Sequence, residues 1–272
     1  MSDNTMKASS NPELANDLIS KALNESTAHE KQEVKIKVPS DNLVTLPGGY
    51  INADGELIRS VEVKELNGRD EEAISKATTV GRMLNAVLTR GVSKIGDEEI
   101  TERLLDNLLA GDREAILLGV YKVTFGNPAE LSGYCRGCED YKQVEVDLDS
   151  DVEMKVLENP IADRKFTVKG KSHEYTVGLP TGVTQKELNN SLDKTVAEMS
   201  TILLQNTVLE IDGDMVVSKS AIQNMSVLDR RKVSEAIATK NPGPVFNDIT
   251  VTCPDCESEV VVPINLGTLF QF

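Results

Sequence analysis

The stretch "CPDCESEVVVPINL", residues 253–266, places two cysteines three positions apart and follows them with an alternating apolar run. A second stretch, "CRGCEDYKQVEVDL" at residues 135–148, aligns with it over its whole length without a gap. The alignment superposes the two cysteine pairs and the glutamate that follows each pair. A short turn with a cysteine at each end can place two sulfurs on one metal ion. The repeat therefore predicts a fold in which the two turns meet at one four-cysteine site.

The remainder of the chain predicts the setting of these cysteines. The 272 residues are 39% hydrophobic and 27% charged, which is typical of a soluble globular protein. No apolar run approaches a membrane span, and the polar start "MSDNTMKASSNPELAND" lacks the apolar region of a signal peptide. We therefore expect a cytosolic, reducing compartment, where two close cysteine pairs are more often metal ligands than disulfides.

Charge and composition argue against several classes of partner. The chain has 44 acidic and 29 basic side chains and a net charge of −15, which repels nucleic acid and anionic membranes. Only 4% of residues are aromatic, and none is Trp, so stacking platforms for bases are not expected. No phosphate-binding glycine-rich loop, His-Glu-x-x-His or Gly-x-Ser-x-Gly motif occurs. We expect no nucleic acid, membrane or small-molecule substrate as partner, and no enzymatic activity.

The four cysteines are the predicted metal site. Two Cys-x-x-Cys turns between strands, each a zinc knuckle, complete a tetrahedral shell with zinc–sulfur distances of about 2.3 Å. We predict that Cys135, Cys138, Cys253 and Cys256 bind one structural Zn²⁺ per chain. A full four-thiolate shell leaves no position for water or substrate. Redox dithiols, disulfides or a lost site are the alternatives.

The cysteine repeat belongs to a longer internal duplication. Asp112-Arg113 before the first pair and Asp229-Arg230 before the second each follow an asparagine at the same spacing. "VTLPGG" and "VGLPTG" each close an extended segment with a Leu-Pro-x-Gly turn. Asp112 and Asp229 are expected to be helix N-caps.

The repeat predicts an α+β fold of two related halves. Each half contains helices and short antiparallel strands, ends in a zinc-knuckle hairpin and joins the other at one four-cysteine zinc site. The expected division is an extension at 1–33, a first half at 34–155 and a second half at 156–272, with the halves forming one compact unit. In the first half, "INADGEL" predicts a hairpin around Asp54-Gly55, and "GDEEITERLLDNLLAG" predicts a helix capped by Asp97.

The order of several segments resembles a known family. "LPGGYINADGELIRSVEVKELNGRDEE", "AGDREAILLGVYKVTFGN" and the two cysteine stretches are similar to the baseplate-hub and tail-assembly proteins of T-even-type tailed bacteriophages. The resemblance covers residues 34–272, and the four cysteines match the zinc-knuckle positions of the family.

The resemblance implies a non-enzymatic structural component of a phage tail baseplate hub or tail tip. Such a protein contacts other baseplate, hub or tail tube proteins, and is located in the virion and, during assembly, in the host cytoplasm. One alternative is a hub assembly chaperone that is absent from the mature virion. An alternative of another class is a zinc- or thiol-dependent redox enzyme.

Both ends of the chain carry apolar residues that suit a partner. "SSNPELANDLISKALNE" predicts a short amphipathic helix, which is marginal in water and needs a surface to cover. Packing on its own domain or disorder are the alternatives for this helix, and own-core packing is the alternative for the C-terminus. The predicted partner-binding residues are Leu14, Leu18, Ile19, Leu23, Phe270 and Phe272.

Overall fold

The structure is a computed structural model that describes residues 42–270. Within this range the chain forms nine α-helices and thirteen strands, and every strand pairing is antiparallel, which confirms the α+β class. The helices are α1 (Gly68–Ile74), α2 (Val80–Gly91), α3 (Glu102–Asn107), α4 (Ala110–Phe125), α5 (Gly182–Asn189), α6 (Val196–Thr207), α7 (Lys219–Gln223), α8 (Val227–Lys240) and α9 (Leu266–Leu269). No helix in the described range is long and apolar enough to cross a membrane.

The strands form four sheets. They are β1 (Leu43–Ile51), β2 (Leu57–Val63), β3 (Val92–Ile95), β4 (Ala129–Cys135), β5 (Asp140–Val146), β6 (Glu153–Lys155), β7 (Lys165–Lys169), β8 (Glu174–Gly178), β9 (Val208–Ile211), β10 (Asp214–Met215), β11 (Gly243–Val245), β12 (Ile249–Thr252) and β13 (Glu259–Val262). The orders are β1-β2-β3, β10-β9-β8-β7, β11-β6 and β12-β13-β4-β5. The last sheet carries both cysteine pairs.

Helix α4 lies at the centre of the larger of two main hydrophobic cores. Ten of its sixteen residues are buried, including the charged Asp112 and Arg113, so most of the helix is enclosed by the rest of the fold. Ile116 and Val120 are fully buried, and they share this core with Leu46 of β1 and Val61 of β2. The smaller core lies between β8, β9 and helices α6 to α8, around Tyr175.

The C-terminal segment returns to the larger core. Val260, Val262 and Leu266 are buried with residues from the first half of the chain. Phe270 is 1% exposed and meets Tyr121 edge to face, with ring centroids 5.6 Å apart. This placement agrees with the own-core alternative for Phe270. Phe272, Leu14, Leu18, Ile19 and Leu23 lie outside the described residues.

Several local predictions are confirmed and others are wrong. A turn at Asp54-Gly55 joins β1 to β2, with Gly55 at a φ of 82°, as predicted. The helix predicted to start at Asp97 instead begins at Glu102 with Thr101 as its cap. Gly96, at a φ of 57°, turns the chain at the end of β3, and the carboxylate of Asp97 pairs with Lys94 at 2.8 Å.

The two Leu-Pro-x-Gly segments do not occupy matching places, so the predicted pair of turns is wrong. Residues 46–49 lie inside β1, where the pairing with β2 shifts register between Thr45 and Tyr50. A proline is tolerated in a strand at such an irregularity. The second segment follows β8, and its Thr181 is the N-cap of α5.

Asp112 and Asp229 are not N-caps, because the caps are Leu109 and Ser226. Each aspartate lies in the first turn of its helix, and its side chain accepts a hydrogen bond from a distant part of the chain. The donors are the backbone amides of Gly48, at 2.6 Å from Asp112 Oδ1, and of Lys171, at 2.7 Å from Asp229 Oδ1. The first carboxylate therefore ties its helix to β1, and the second ties its helix to the connection between β7 and β8.

Candidate metal centre

Each cysteine pair lies in the short connection between two antiparallel strands. Cys135 ends β4 and Cys138 precedes β5, while Cys253 and Cys256 lie between β12 and β13. The glutamate after each pair has a left-handed backbone, with φ of 53° at residue 139 and 59° at residue 257. This conformation reverses the chain so that the next strand runs back beside the first.

The two hairpins are joined edge to edge. Strand β13 of the second hairpin pairs with β4 of the first, with Val260 opposite Cys135 and Val261 opposite Tyr134. The first cysteine of each pair is buried at the end of the larger core, while Cys138 is half-buried and Cys256 is exposed. The sheet therefore brings both turns to one place at the surface.

The four sulfurs form one cluster, which confirms that the repeat brings the cysteines together. The Sγ atoms of Cys135 and Cys256 are 3.5 Å apart, those of Cys138 and Cys253 are 3.7 Å apart, and all four lie within 4.8 Å of one another. A tetrahedral zinc shell with bonds of about 2.3 Å requires sulfurs about 3.8 Å apart. A disulfide would need about 2 Å, so these are four free thiols. The donor set and its spacing fit zinc.

The surroundings of the cluster are closely packed. A Cβ at Gly137, in the first turn, would lie 2.3 Å from the Ser258 Oγ atom and 2.7 Å from the Cys256 Sγ atom of the second hairpin. Hydrogen bonds from the Ser258 side chain and backbone lower the pKa of Cys256 to about 6. Four thiolates at these separations repel one another, so a cation is needed for all four sulfurs to be deprotonated together.

An ion pair also links the two hairpins beside the sulfurs. The ammonium of Lys142 on β5 contacts the carboxylate of Asp255, in the second turn, at 2.7 Å. The pKa of Lys142 is raised, chiefly by its hydrogen bond to Asp255. Lys142 thus carries a positive charge near sulfurs that are negative when they bind a metal.

The sequence predicted the ligands but not the groups that support them. Ser258 lies two positions after Cys256. The residue at the same place in the first stretch is Asp140, so the serine has no counterpart there. Gly137 and Lys142 carry no motif, and their roles follow only from the way the hairpins meet. Four sulfurs around one ion leave no open coordination position, so this geometry suits a structural metal.

Comparison with known proteins points to one family. A family model described as "T4 bacteriophage base plate protein" matches residues 56–271, which is most of the chain and includes all four cysteines. Comparison with curated proteins and with solved structures found no match.

Proposed function

This chain belongs to the family of T4 bacteriophage base plate proteins, and on that premise we propose that it is a non-enzymatic structural component of the baseplate hub or tail tip. The match over residues 56–271 is the observation that carries the proposal. In this role the chain acts through contacts with other baseplate, hub or tail tube proteins. A departing hub assembly chaperone is the alternative, because it would use the same contacts.

We propose that Cys135, Cys138, Cys253 and Cys256 hold one structural Zn²⁺ on two zinc knuckles. The sulfur separations of 3.5 and 3.7 Å support this assignment. The ion would join hairpins that are 118 positions apart along the chain. A covalent link that closes a loop of this length stabilises by roughly 4 to 5 kcal/mol in the chain-entropy description. The bound ion would thus fix the two hairpins relative to each other, which suits a structural component.

We infer that the two halves arose by internal duplication. Each half has a sheet in which three strands neighbour one another in chain order, β1-β2-β3 in the first and β7-β8-β9 in the second, where β10 adds a fourth strand beside β9. Arg113 donates to the carbonyl of Leu105 at 2.8 Å, and Arg230 donates to the carbonyl of Ile222 at 3.2 Å, each over a span of eight residues. The aspartate that precedes each arginine accepts a hydrogen bond from a backbone amide, which lies in β1 for Asp112 and just after β7 for Asp229.

Mass spectrometry of purified phage particles tests the proposed location. We expect the chain at a fixed copy number per particle, together with the baseplate proteins. Its absence from particles, with presence in assembly intermediates from infected cells, would establish the chaperone alternative. Its absence from both would overturn a role in the baseplate.

Metal and thiol analysis of the purified chain tests the role of the cysteines. We expect about one zinc per chain and no thiol that reacts with a titrating reagent until a chelator is added. Reactive thiols in a metal-free chain would favour the redox alternative instead, since a redox dithiol needs an accessible thiolate.

We also propose that the N-terminal extension docks on a partner through Leu14, Leu18, Ile19 and Leu23. The proposal is supported by the amphipathic spacing of these residues, which all precede the described range. Deletion of residues 1–30 should lower recruitment to tail-tip assemblies without changing zinc content. Unchanged recruitment would remove this proposal.

A further inference from the structure

The sheet that carries the cysteines has one face in the core and one face in solvent. Strand alternation directs Leu131, Cys135 and Val260 into the larger core. The opposite side of the sheet, which we call the outer face, is formed by Thr250, Thr252, Glu259, Val261, Glu130, Ser132, Tyr134, Tyr141, Gln143 and Glu145. These side chains form a surface that spans all four strands.

An apolar row crosses the outer face close to the cysteines. The register places Thr250, Val261, Tyr134 and Tyr141 side by side on successive strands. Val261 is 45% exposed, Tyr134 46% and Tyr141 68%. The two tyrosine rings meet edge to face with centroids 5.3 Å apart. Adjacent exposed tyrosines on a rigid sheet are the residues that most often anchor protein interfaces.

The charges of the outer face are all of one sign. Its charged residues are Glu130, Glu145 and Glu259, and Glu130 lies directly opposite Glu145 in the register. Like charges in this position destabilise a sheet. None of the three glutamates takes part in the ion pairs formed by the described part of the chain. The fold itself therefore gains nothing from the glutamate pair.

We propose that the outer face docks a baseplate protein that presents arginine or lysine side chains beside an apolar patch. The apolar row would pack against the apolar patch of the partner, and the partner's cations would pair with the carboxylates of Glu130 and Glu145. The two features are four residues apart along β4, or about 14 Å, which is within the span of one standard interface. A second copy of this face fits poorly, because it would add three more glutamates and no cation.

The metal site and the docking face are physically coupled. Val261 belongs to the second hairpin, whereas Tyr134 and Tyr141 belong to the first, so the row is intact only while the two hairpins stay paired. The sulfur cluster lies next to this junction, since Cys135 follows Tyr134 directly. Zinc in the proposed site would hold the row together. The inference rests on the proposed function in taking the partner to be a baseplate protein.

The first test is a binding measurement with a defined probe. Baseplate assembly intermediates are isolated from cells infected with a phage that lacks this gene, and the purified full-length chain is added. Co-sedimentation measures the fraction bound. We expect the double variant Tyr134→Ala/Tyr141→Ala to bind about tenfold more weakly, with unchanged zinc content and a melting temperature lowered only by the loss of the cross-strand ring contact. The control Val196→Ser/Val217→Ser removes two side chains that are 87% and 89% exposed elsewhere, and should bind normally.

Each outcome decides the inference. Equal binding by the tyrosine variant, or an equal loss in the control, would overturn the docking face while leaving the proposed function intact. A dimer of the free chain that the tyrosine variant dissolves would identify a second copy as the occupant and also overturn the inference. If the unaltered chain does not bind at all, the docking inference fails, and the composition of the particles decides the proposed function separately.

A second variant separates docking from folding. Glu130→Lys converts the opposed glutamates into an opposite-charge pair, so the melting temperature should rise. Binding should nevertheless fall about tenfold, because the variant repels a basic partner. Glu235→Lys, at an exposed position on α8, makes the same charge change and should bind normally. A higher melting temperature with unchanged binding would show that the glutamates play no part in docking.

Discussion

The Oδ1 atom of Asp112 accepts a hydrogen bond from the backbone amide of Gly48 at 2.6 Å, while its buried Oδ2 atom has no hydrogen-bond partner in the described structure. Asp229, the residue that corresponds to Asp112 in the proposed duplication, differs in this respect. Its Oδ2 atom accepts a hydrogen bond from the Tyr175 hydroxyl at 3.1 Å. One of these two carboxylates therefore has a hydroxyl donor that the other lacks.

The two aspartates should respond to pH in opposite directions. Burial raises the pKa of Asp112 to about 6, against the opposing effects of Gly48, Arg164, Gly49 and Arg59. Because the pKa of Asp112 is higher in the folded state than in the unfolded state, the folded chain binds a proton more tightly at this carboxyl than the unfolded chain does. The contribution of this group to stability is therefore complete below about pH 4 and is lost as the pH rises through about 6.

The variant Asp112→Asn should consequently stabilise the chain at pH 7.5, by an amount that decreases as the pH falls and vanishes below about pH 4. The expected gain is on the order of 1 to 3 kcal/mol, since a pKa shift of one unit corresponds to about 1.4 kcal/mol. Urea unfolding of the variant and the unaltered chain at matched pH values measures the difference, and both chains keep the same cysteines. A loss of stability at pH 7.5, or a difference that does not change with pH, would contradict the argument.

Asp229→Asn is the matched variant with the reverse sign. The backbone amide of Lys171 is the largest cause that lowers the pKa of Asp229, and Ser226 and Tyr175 add to it. The stability that this carboxylate contributes is present above its unfolded pKa and is lost as the pH falls through the folded one. The variant should be destabilised at pH 7.5, in the same urea experiment. Stabilisation there would mean that the Tyr175 hydroxyl does not distinguish the two sites.

The fit between the two hairpins can be tested at Gly137. Alanine there would place its Cβ 2.7 Å from Cys256 Sγ, so Gly137→Ala should displace a metal ligand. Disturbing groups around a zinc site typically lowers metal affinity by 10- to 100-fold, and we expect a loss in that range. Competition with a chromogenic chelator measures the affinity. Gly68→Ala is the control, because nothing lies within 4 Å of a Cβ at that position; equal affinities in the two variants would rule out the predicted contact.

Regular local signals were sufficient to predict much of the fold. The alternation of Val61 and Val63 is typical of a half-buried strand, which β2 is, and the spacing of Met83, Leu84 and Val87 is typical of a helix that buries one face, as α2 does. The clustering of the four cysteines was predictable because the Cys-x-x-Cys motif occurs twice, and two such motifs together supply the four ligands of one metal ion.

Contacts between distant segments were not predictable from local patterns. Asp112 resembles an N-cap because it stands near a helix start, yet its partner Gly48 is 64 positions away. The two Leu-Pro-x-Gly segments share letters but occupy a strand in one half and a helix start in the other. The outer face was equally hidden, since alternation in β4 and β5 predicts two faces without saying which one the core covers.

A glycine at the start of α4 shows how closely the halves approach. A Cβ at Gly111 would lie 1.5 Å from the backbone oxygen of Pro242, which precedes β11. Alanine normally favours a helix over glycine by about 1 kcal/mol, but here it must push two backbone segments apart. We expect Gly111→Ala to destabilise the chain by about 3 kcal/mol or more in urea unfolding. Gly68→Ala, at the start of α1, is the control and should leave the free energy of unfolding unchanged or raise it. An unchanged or higher value for Gly111→Ala would contradict the close packing of Gly111 against Pro242.

The side chain of Arg113 joins the halves by a different means. It is 4% exposed and donates to Gln185 Oε1 on α5 at 2.8 Å, to the Leu105 carbonyl at 2.8 Å and to Asn85 Oδ1 at 3.1 Å. The three acceptors contact three different nitrogen atoms of the guanidinium, and the single nitrogen of a lysine ammonium cannot bond to all of them, so Arg113→Lys leaves buried acceptors unpaired.

We expect Arg113→Lys to lower the free energy of unfolding by about 2 to 4 kcal/mol. Arg230→Lys is its matched control, since Arg230 also donates to three acceptors but is only half-buried. Water can replace the bonds lost there, and the expected cost is about 1 kcal/mol. Urea unfolding of zinc-saturated chains measures both values. Equal costs at the two positions would show that burial of the Arg113 guanidinium between α4 and α5 contributes nothing specific to joining the halves.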